Sequence, residues 1–179
     1  LGLFDPVEAA EMDDIEAFYR DRGAPVFHEV SPLAAPATVA LLNRRGYEPL
    51  EFTSVLCRPI VPGRALTAVP RDGLRVKVAE ADDRDTWART AAEGWSEVPE
   101  IEAFMRQIGP VTMARPDATC FLATIDDEPV ATGVLSIHQR VALLAGASTI
   151  PKARGRGAQL ALLQARLGFA ADRGCDLAM

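Results

Sequence analysis

Histidine occurs only twice and cysteine only three times in the 179 residues. Their positions exclude more than they offer. His28 and His138 each lack a second ligand at metal spacing. Cys57, Cys120 and Cys175 are odd in number, far apart and flanked by apolar residues, so they read as buried free thiols rather than a disulfide framework or a metal set. Net positive charge is missing as well: 19 Lys and Arg against 25 Asp and Glu leave a formal charge of −6. A nucleic-acid or anionic-membrane binder needs a phosphate-neutralising surface, so neither partner is expected and any anion site must be local. No apolar run reaches a membrane span and no signal-peptide pattern is present, which makes a reducing, cytoplasmic setting the expectation. What remains is ordinary globular composition, 49% apolar and 25% charged.

Periodicity divides the chain into elements. Residues 7–22 carry Ala10, Ile15, Phe18 and Tyr19 near helical spacing, with Gly23 as a stop. Residues 24–30 read as a strand. A second helix opens at Pro36, with Val39, Leu41 and Leu42 on its buried side and Gly46 at its end. Residues 51–60 read as a further strand, and the Pro- and Gly-bearing stretch 61–73 as a linker. Leu74 to Val78 alternates as a strand. Asp82 and Asp83 can cap a helix that runs to Gly94 and contains Trp87 and Ala91. Another short helix is expected over 99–108. Strands follow over 120–125, 129–137 and 141–149, then a helix over 158–172 and a last strand over 175–179. A mixed, mostly antiparallel sheet flanked by helices results, an α+β fold in two half-domains. Both ends read as cut: the chain opens on Leu1 and closes just as a strand begins, so part of a longer protein is expected.

An internal echo connects the halves. Phe18 to Val26 aligns with Phe169 to Leu177 at a constant offset, and both stretches carry a helix end, Asp-Arg-Gly and a strand start. The matching context on both sides makes a duplicated half-domain the reading.

The chemistry concentrates in Arg154-Gly155-Arg156-Gly157-Ala158-Gln159. Glycine lets the backbone turn sharply and approach a ligand without a Cβ in the way. The helix that follows exposes its first N–H groups, and its dipole favours an anion there. Arg154 and Arg156 add charge complementary to phosphate. Upstream, residues 141–147 are apolar enough for an interior strand, which puts the loop at a strand's carboxyl end. A surface turn with two solvated arginines is the bland alternative, and the strand before and helix after argue against it. The missing G-K-[ST] excludes a P-loop, the missing G-x-G-x-x-G a dinucleotide fingerprint, and no G-x-S-x-G elbow surrounds Ser148.

Strand, loop and helix together resemble the GNAT superfamily of acyl-CoA-dependent N-acyltransferases, whose pyrophosphate loop reads [RQ]-x-x-G-x-[GA]. Arg154 to Gly157 fit its first positions, while Gln159 replaces the final Gly or Ala. A helical Gln159 with its side chain turned outward leaves the amide cradle intact. The likeness extends in element order from about Leu74 to Met179. Residues 1–60 resemble the later portion of a second GNAT half, with Asn43-Arg44-Arg45-Gly46-Tyr47 similar to the family's helix-four ending. At that half's loop position, Phe4-Asp5-Pro6-Val7-Glu8 is acidic and lacks the Arg/Gly pattern. The resemblance implies a tandem GNAT protein trimmed at both ends: 1–60 degenerate, 61–73 linker, 74–179 binding acetyl-CoA.

It also implies that Ala147, Ser148 and Thr149 meet the pantetheine arm and offer an N–H to the thioester carbonyl, while Arg154, Gly155, Arg156, Gly157, Ala158 and Gln159 hold the pyrophosphate. Acetyl transfer to a primary amine of a small molecule or peptide is the implied reaction, with a homodimer left open. No catalytic residue is assigned. Glu97, Glu100 and Glu102 lie toward the acceptor side but read as solvated, and Trp95 is a candidate for the acceptor wall. A non-catalytic CoA-binding sensor or scaffold is the competing reading.

Overall fold

The structure, a computed structural model, describes residues 1–2, 5–61 and 72–179. They form two compact units, Leu1–Ser54 and Val55–Met179.

In the first unit, α1 (Ala9–Arg20) and α2 (Pro36–Arg44) are tied by charge more than by an apolar seam. Arg45 grips Glu16 with two hydrogen bonds of 2.8 and 2.7 Å and also reaches Asp13; Tyr47 donates its hydroxyl to Glu16 at 3.1 Å. The expected apolar face of α1 is not the buried one. Met12 is fully buried, whereas Phe18 and Tyr19 are exposed. In α2, Thr38 and Leu42 are buried and Val39 is exposed. Residues 24–30 have no strand partner among the described residues, and an extended segment becomes a strand only when a partner edge satisfies its backbone.

The second unit holds a six-stranded sheet, of order β1-β6-β5-β4-β3-β2. Its strands are β1 (Arg58–Pro59), β2 (Leu74–Val78), β3 (Ala118–Ile125), β4 (Glu128–His138), β5 (Val141–Thr149) and β6 (Leu177–Ala178). All pairs are antiparallel except β5 with β6. Of the strand expected over 51–60, only Arg58 and Pro59 pair, and they pair with β6 rather than with residues before Ser54. Residues 62–71 of the expected linker, and Phe4 of the acidic stretch, lie outside the described residues.

Two helical layers cover this sheet, and strand alternation feeds both. Phe121, Ala123 and Ile125 of β3 point toward α5 (Ala158–Asp172), where Leu162, Leu167 and Ala170 complete one core. Cys120 and Leu122 point the other way, against Trp87 and Ala91 of α3 (Arg84–Glu93). The Trp87 indole donates to Phe121 O at 2.9 Å, so its one polar group is satisfied inside that core. The expected Asp82/Asp83 cap is shifted: Asp83 accepts the Glu80 N–H and closes the short 3-10 turn Ala81–Asp83 ahead of α3. Helix α4 (Pro99–Ala114) runs six residues past the expected end at Ile108, through Pro110. Gly109 packs on Ala88 so closely that a Cβ there would meet the alanine Cβ at 2.8 Å. Arg84 donates to Pro110 O at 3.1 Å. Those contacts hold the turn that Pro110 weakens by lacking an N–H.

The echo between the units extends to atoms. Gly23 and Gly174 both take positive φ, 64° and 75°. Ala24 N–H bonds Tyr19 O, and Cys175 N–H bonds Ala170 O, each at 3.0 Å. Arg22 stacks over Phe18 at 3.6 Å, and Arg173 over Phe169 at 4.3 Å. Cys120 and Cys175 are buried thiols, but Cys57 is exposed, since its segment lacks the strand pairing that would have covered it.

Candidate functional site

β5 begins as an ordinary strand and ends as something else. It pairs with β6 only at Val141 and Ala142, with further bonds from Met179 N–H to Ala142 O and from Leu144 N–H to Met179 O. On its other side the register with β4 shifts: Thr132 faces Ser148, yet Val134 faces Ala145. Two steps along β4 thus correspond to three along β5, a β-bulge at Gly146-Ala147. Gly146 supplies the positive φ of 56° that an L side chain rarely adopts. The strand is interior in sheet order, but Ala145, Gly146 and Ala147 are exposed, unlike the covered stretch its composition predicts.

These residues open onto a cavity of about 580 Å³. Its floor is the end of β5, with Ala147, Ser148 and Thr149. Its far wall is the loop, with Arg154, Gly155 and Gly157, and the first turn of α5, with Ala158 and Gln159. The near wall is the connection between α3 and α4, with Gly94, Trp95, Glu97 and Val98. Eight of the nine residues read from the sequence therefore line one space. Arg156 does not; its guanidinium lies 3.9 Å from Asp126 in the β3–β4 turn.

The loop's geometry follows from its glycines. Gly155 and Gly157 take φ of 75° and 90°. The space beside Gly155 is open, so backbone conformation rather than crowding selects glycine there. Gly157 is the N-cap of α5 and brings no side-chain cap, which leaves the helix's first N–H groups and its positive dipole end toward the cavity.

Arg154 departs from the expected free cation. It donates to Gly94 O at 3.0 Å and Thr149 O at 3.3 Å, and pairs with Glu97. It clasps the α3–α4 connection onto the end of β5. Glu97, read as solvated from the sequence, lines the cavity because of that clasp. Glu100 and Glu102 fall instead in the first turn of α4. Gln159 also departs from expectation. Its side chain turns toward the strand end, and its amide donates to Thr149 Oγ1 at 2.8 Å. Ser148 is fixed in the same way, donating to Ala91 O at 3.0 Å beside Thr132 Oγ1 at 3.2 Å. Gly94 makes this possible, since a Cβ there would meet Ser148 Cβ at 2.5 Å and Thr149 N at 3.1 Å.

Sequence reasoning took Gly94 only as a helix stop and passed over Arg166 within α5. The signal for Arg166 was present: a lone charge four residues after Leu162, on the stripe continued by Leu167 and Ala170. Among the described residues no cluster of three or more His, Cys, Asp or Glu could hold a metal ion. None of their helices is long and apolar enough to cross a membrane.

A family model described as an acetyltransferase (GNAT) domain matches residues 63–178, which take in the loop, the bulge and the cavity. No curated protein matches. Among solved structures, a GCN5-related N-acetyltransferase from Kribbella flavida aligns with a TM-score of 0.68 at 20% identity, over 93% of this chain and 62% of that one. It shares the fold, and the present chain spans less than two thirds of its length. A PaiA N-acetyltransferase from Thermoplasma acidophilum in complex with coenzyme A aligns at 0.48 and 18% identity, over 56% and 74% of the two chains. A GNAT family acetyltransferase from Brucella melitensis in complex with acetyl-CoA aligns at 0.49 and 12%, over 59% and 73%.

Proposed function

Because this chain belongs to the GNAT acetyltransferase family, we propose that its second unit binds acetyl-CoA and serves an N-acetyltransferase acting on a primary amine of a small molecule or peptide. One observation carries the reading: a loop with two positive-φ glycines joins an opened strand end to an uncapped helix N-terminus around a single cavity. That arrangement fits a bent, anionic pyrophosphate with an extended arm leading from it.

Acetyl-CoA supplies the activated thioester. The N–H groups of Gly155 to Gln159 hold the pyrophosphate, and the strand end from Ala147 to Thr149 receives the pantetheine arm as an added strand does. A backbone N–H there stabilises the negative charge that develops on the thioester oxygen. An acceptor amine, entering past Trp95 and Val98, attacks as the free base. The N–C bond forms, the C–S bond breaks, and the proton shed by the amine nitrogen balances the one the departing thiolate takes up. Arg154 contributes by holding the acceptor wall to the cofactor wall rather than by chelating phosphate. Gln159 orders Thr149 from the helix side, which leaves the backbone cradle free.

Calorimetric titration of the protein with acetyl-CoA tests this. Saturable heat and a raised melting temperature are expected. Gly155→Asp and Gly157→Asp add charge repulsion and a strained φ, so both should abolish binding while the far-UV spectrum stays unchanged. Unchanged affinity in either variant overturns the cradle.

Glu97 supports a second reading. It is the carboxylate at the cavity wall, and Arg154 occupies it, so a unit that binds the cofactor without transferring it is the rival. Thiol release across an amine panel separates the two. Transfer is expected; binding with no release favours the sensor.

The tandem reading extends the proposal. The repeated helix endings support descent of both units from one half-domain, residues 1–60 being the degenerate copy and 74–179 the binding one. At the counterpart of Gly157 the first unit has Pro6, whose φ is locked near −65° and cannot take the left-handed turn.

A further inference from the structure

Arg166 is 4% exposed and makes no ion pair among the described residues. Burying a guanidinium without a carboxylate is costly, so its place in the core requires a structural return. Its bonds identify that return. Nη1 donates to Val134 O at 3.1 Å and to Ala145 O at 3.3 Å, and Nε donates to Leu162 O of its own helix at 3.2 Å. Val134 and Ala145 are the cross-strand pair at which β4 and β5 resume register after the bulge. The guanidinium therefore spans both strands where the ladder is interrupted. It takes up two carbonyls there.

Gly133 completes the fit. It lies on β4 between Thr132 and Val134, the two residues that bracket the register shift. A Cβ at this position would sit 3.1 Å from both Cζ and Nε of Arg166. The planar group rests on bare backbone. Burial alone pushes the guanidinium below its usual pKa range, which agrees with water-poor surroundings, although arginine keeps its charge there.

We infer that Arg166 is a positioning residue: its guanidinium wedges β4 and β5 at the bulge and thereby aims the backbone of Ala147 to Thr149 into the cavity. The ligand-facing part of this inference rests on the acetyl-CoA reading, whereas the wedge itself does not. A lysine reaches the same carbonyls as a point charge but lacks the flat fork. A methionine fills the space but donates nothing to Val134 O and Ala145 O.

The test uses the intact chain, isotopically labelled, with and without acetyl-CoA. In Arg166→Met the backbone amide signals of Ala147, Ser148 and Thr149 should move in the ligand-free protein. Those of Arg75 and Lys77, on the opposite sheet edge, should stay. Acetyl-CoA affinity should fall about tenfold, with partial recovery in Arg166→Lys. Gly133→Ala, which displaces the guanidinium and leaves α5 unaltered, should move the same three amides, and it serves as the test if Arg166→Met fails to fold. Unmoved amides in the folded variants overturn the wedge. Moved amides in a protein whose wild type binds no acetyl-CoA keep the wedge and overturn the cofactor reading instead. Moved amides with wild-type affinity overturn the link between wedge and ligand.

Discussion

Glu16 accepts hydrogen bonds from Arg45 and Tyr47 at once. The Arg45 guanidinium, first among the causes, lowers its carboxyl pKa to about 2. A carboxylate with a depressed folded pKa stabilises above its ordinary value near 4.5 and ceases to as pH falls toward 2. The first unit should therefore hold its packing at neutral pH and loosen across that acidic window. The ring signals of Tyr47, followed by NMR during acid titration, report the change. In Glu16→Gln they should lose most of this pH dependence, and an unaltered profile would remove Glu16 from the account. Arg154 makes the complementary point. Its charge was legible in the sequence, but its partners were not, because Gly94, Glu97 and Thr149 become neighbours only when two distant segments meet.

Elements differ in how far local pattern determines them. β2, β5 and α5 have the limits that alternation and helical spacing predict, since each carries its own signal and its own stop. The extended segments 24–30 and 51–60 failed for a shared reason: β-propensity describes a surface waiting for a partner, and the chain alone does not say whether one arrives. The bulge escaped as well, because one extra residue in an apolar run leaves the pattern looking unbroken. Close approach of α3 to β5 is another property of pairs of elements. Gly94→Val should force the α3 end away from Ser148 and Thr149, breaking the bond from Ser148 to Ala91 O. We expect a stability loss of about 1–3 kcal/mol in denaturant unfolding and weakened acetyl-CoA binding. Wild-type values for both would mean that the tight contact does not shape the cavity.

At the scale of the whole molecule, the fold class was legible, whereas a division of labour between the units belongs to the proposal. The Asp-Arg-Gly echo pointed to repetition, and the structure adds matched backbone bonds and matched cation–π stacks at both helix ends. Repetition of a helix ending does not carry repetition of a site. With Asp5 and Pro6 at the positions of Arg156 and Gly157, the first unit should bind no acetyl-CoA. Calorimetry should return one equivalent per chain, and two equivalents would overturn the degenerate reading.

The extra residue in β5 has one more consequence. Because a strand alternates sides with period two, a single insertion reverses which side every later residue addresses. Ser148 and Thr149 reach their partners on α3 and α5 only in this reversed phase. Deleting Ala147 would restore the phase, letting β4 and β5 pair without interruption and turning Ser148 and Thr149 to the opposite faces, away from their present partners. The bulge is thus a frameshift in side-chain address, written into the backbone by one residue.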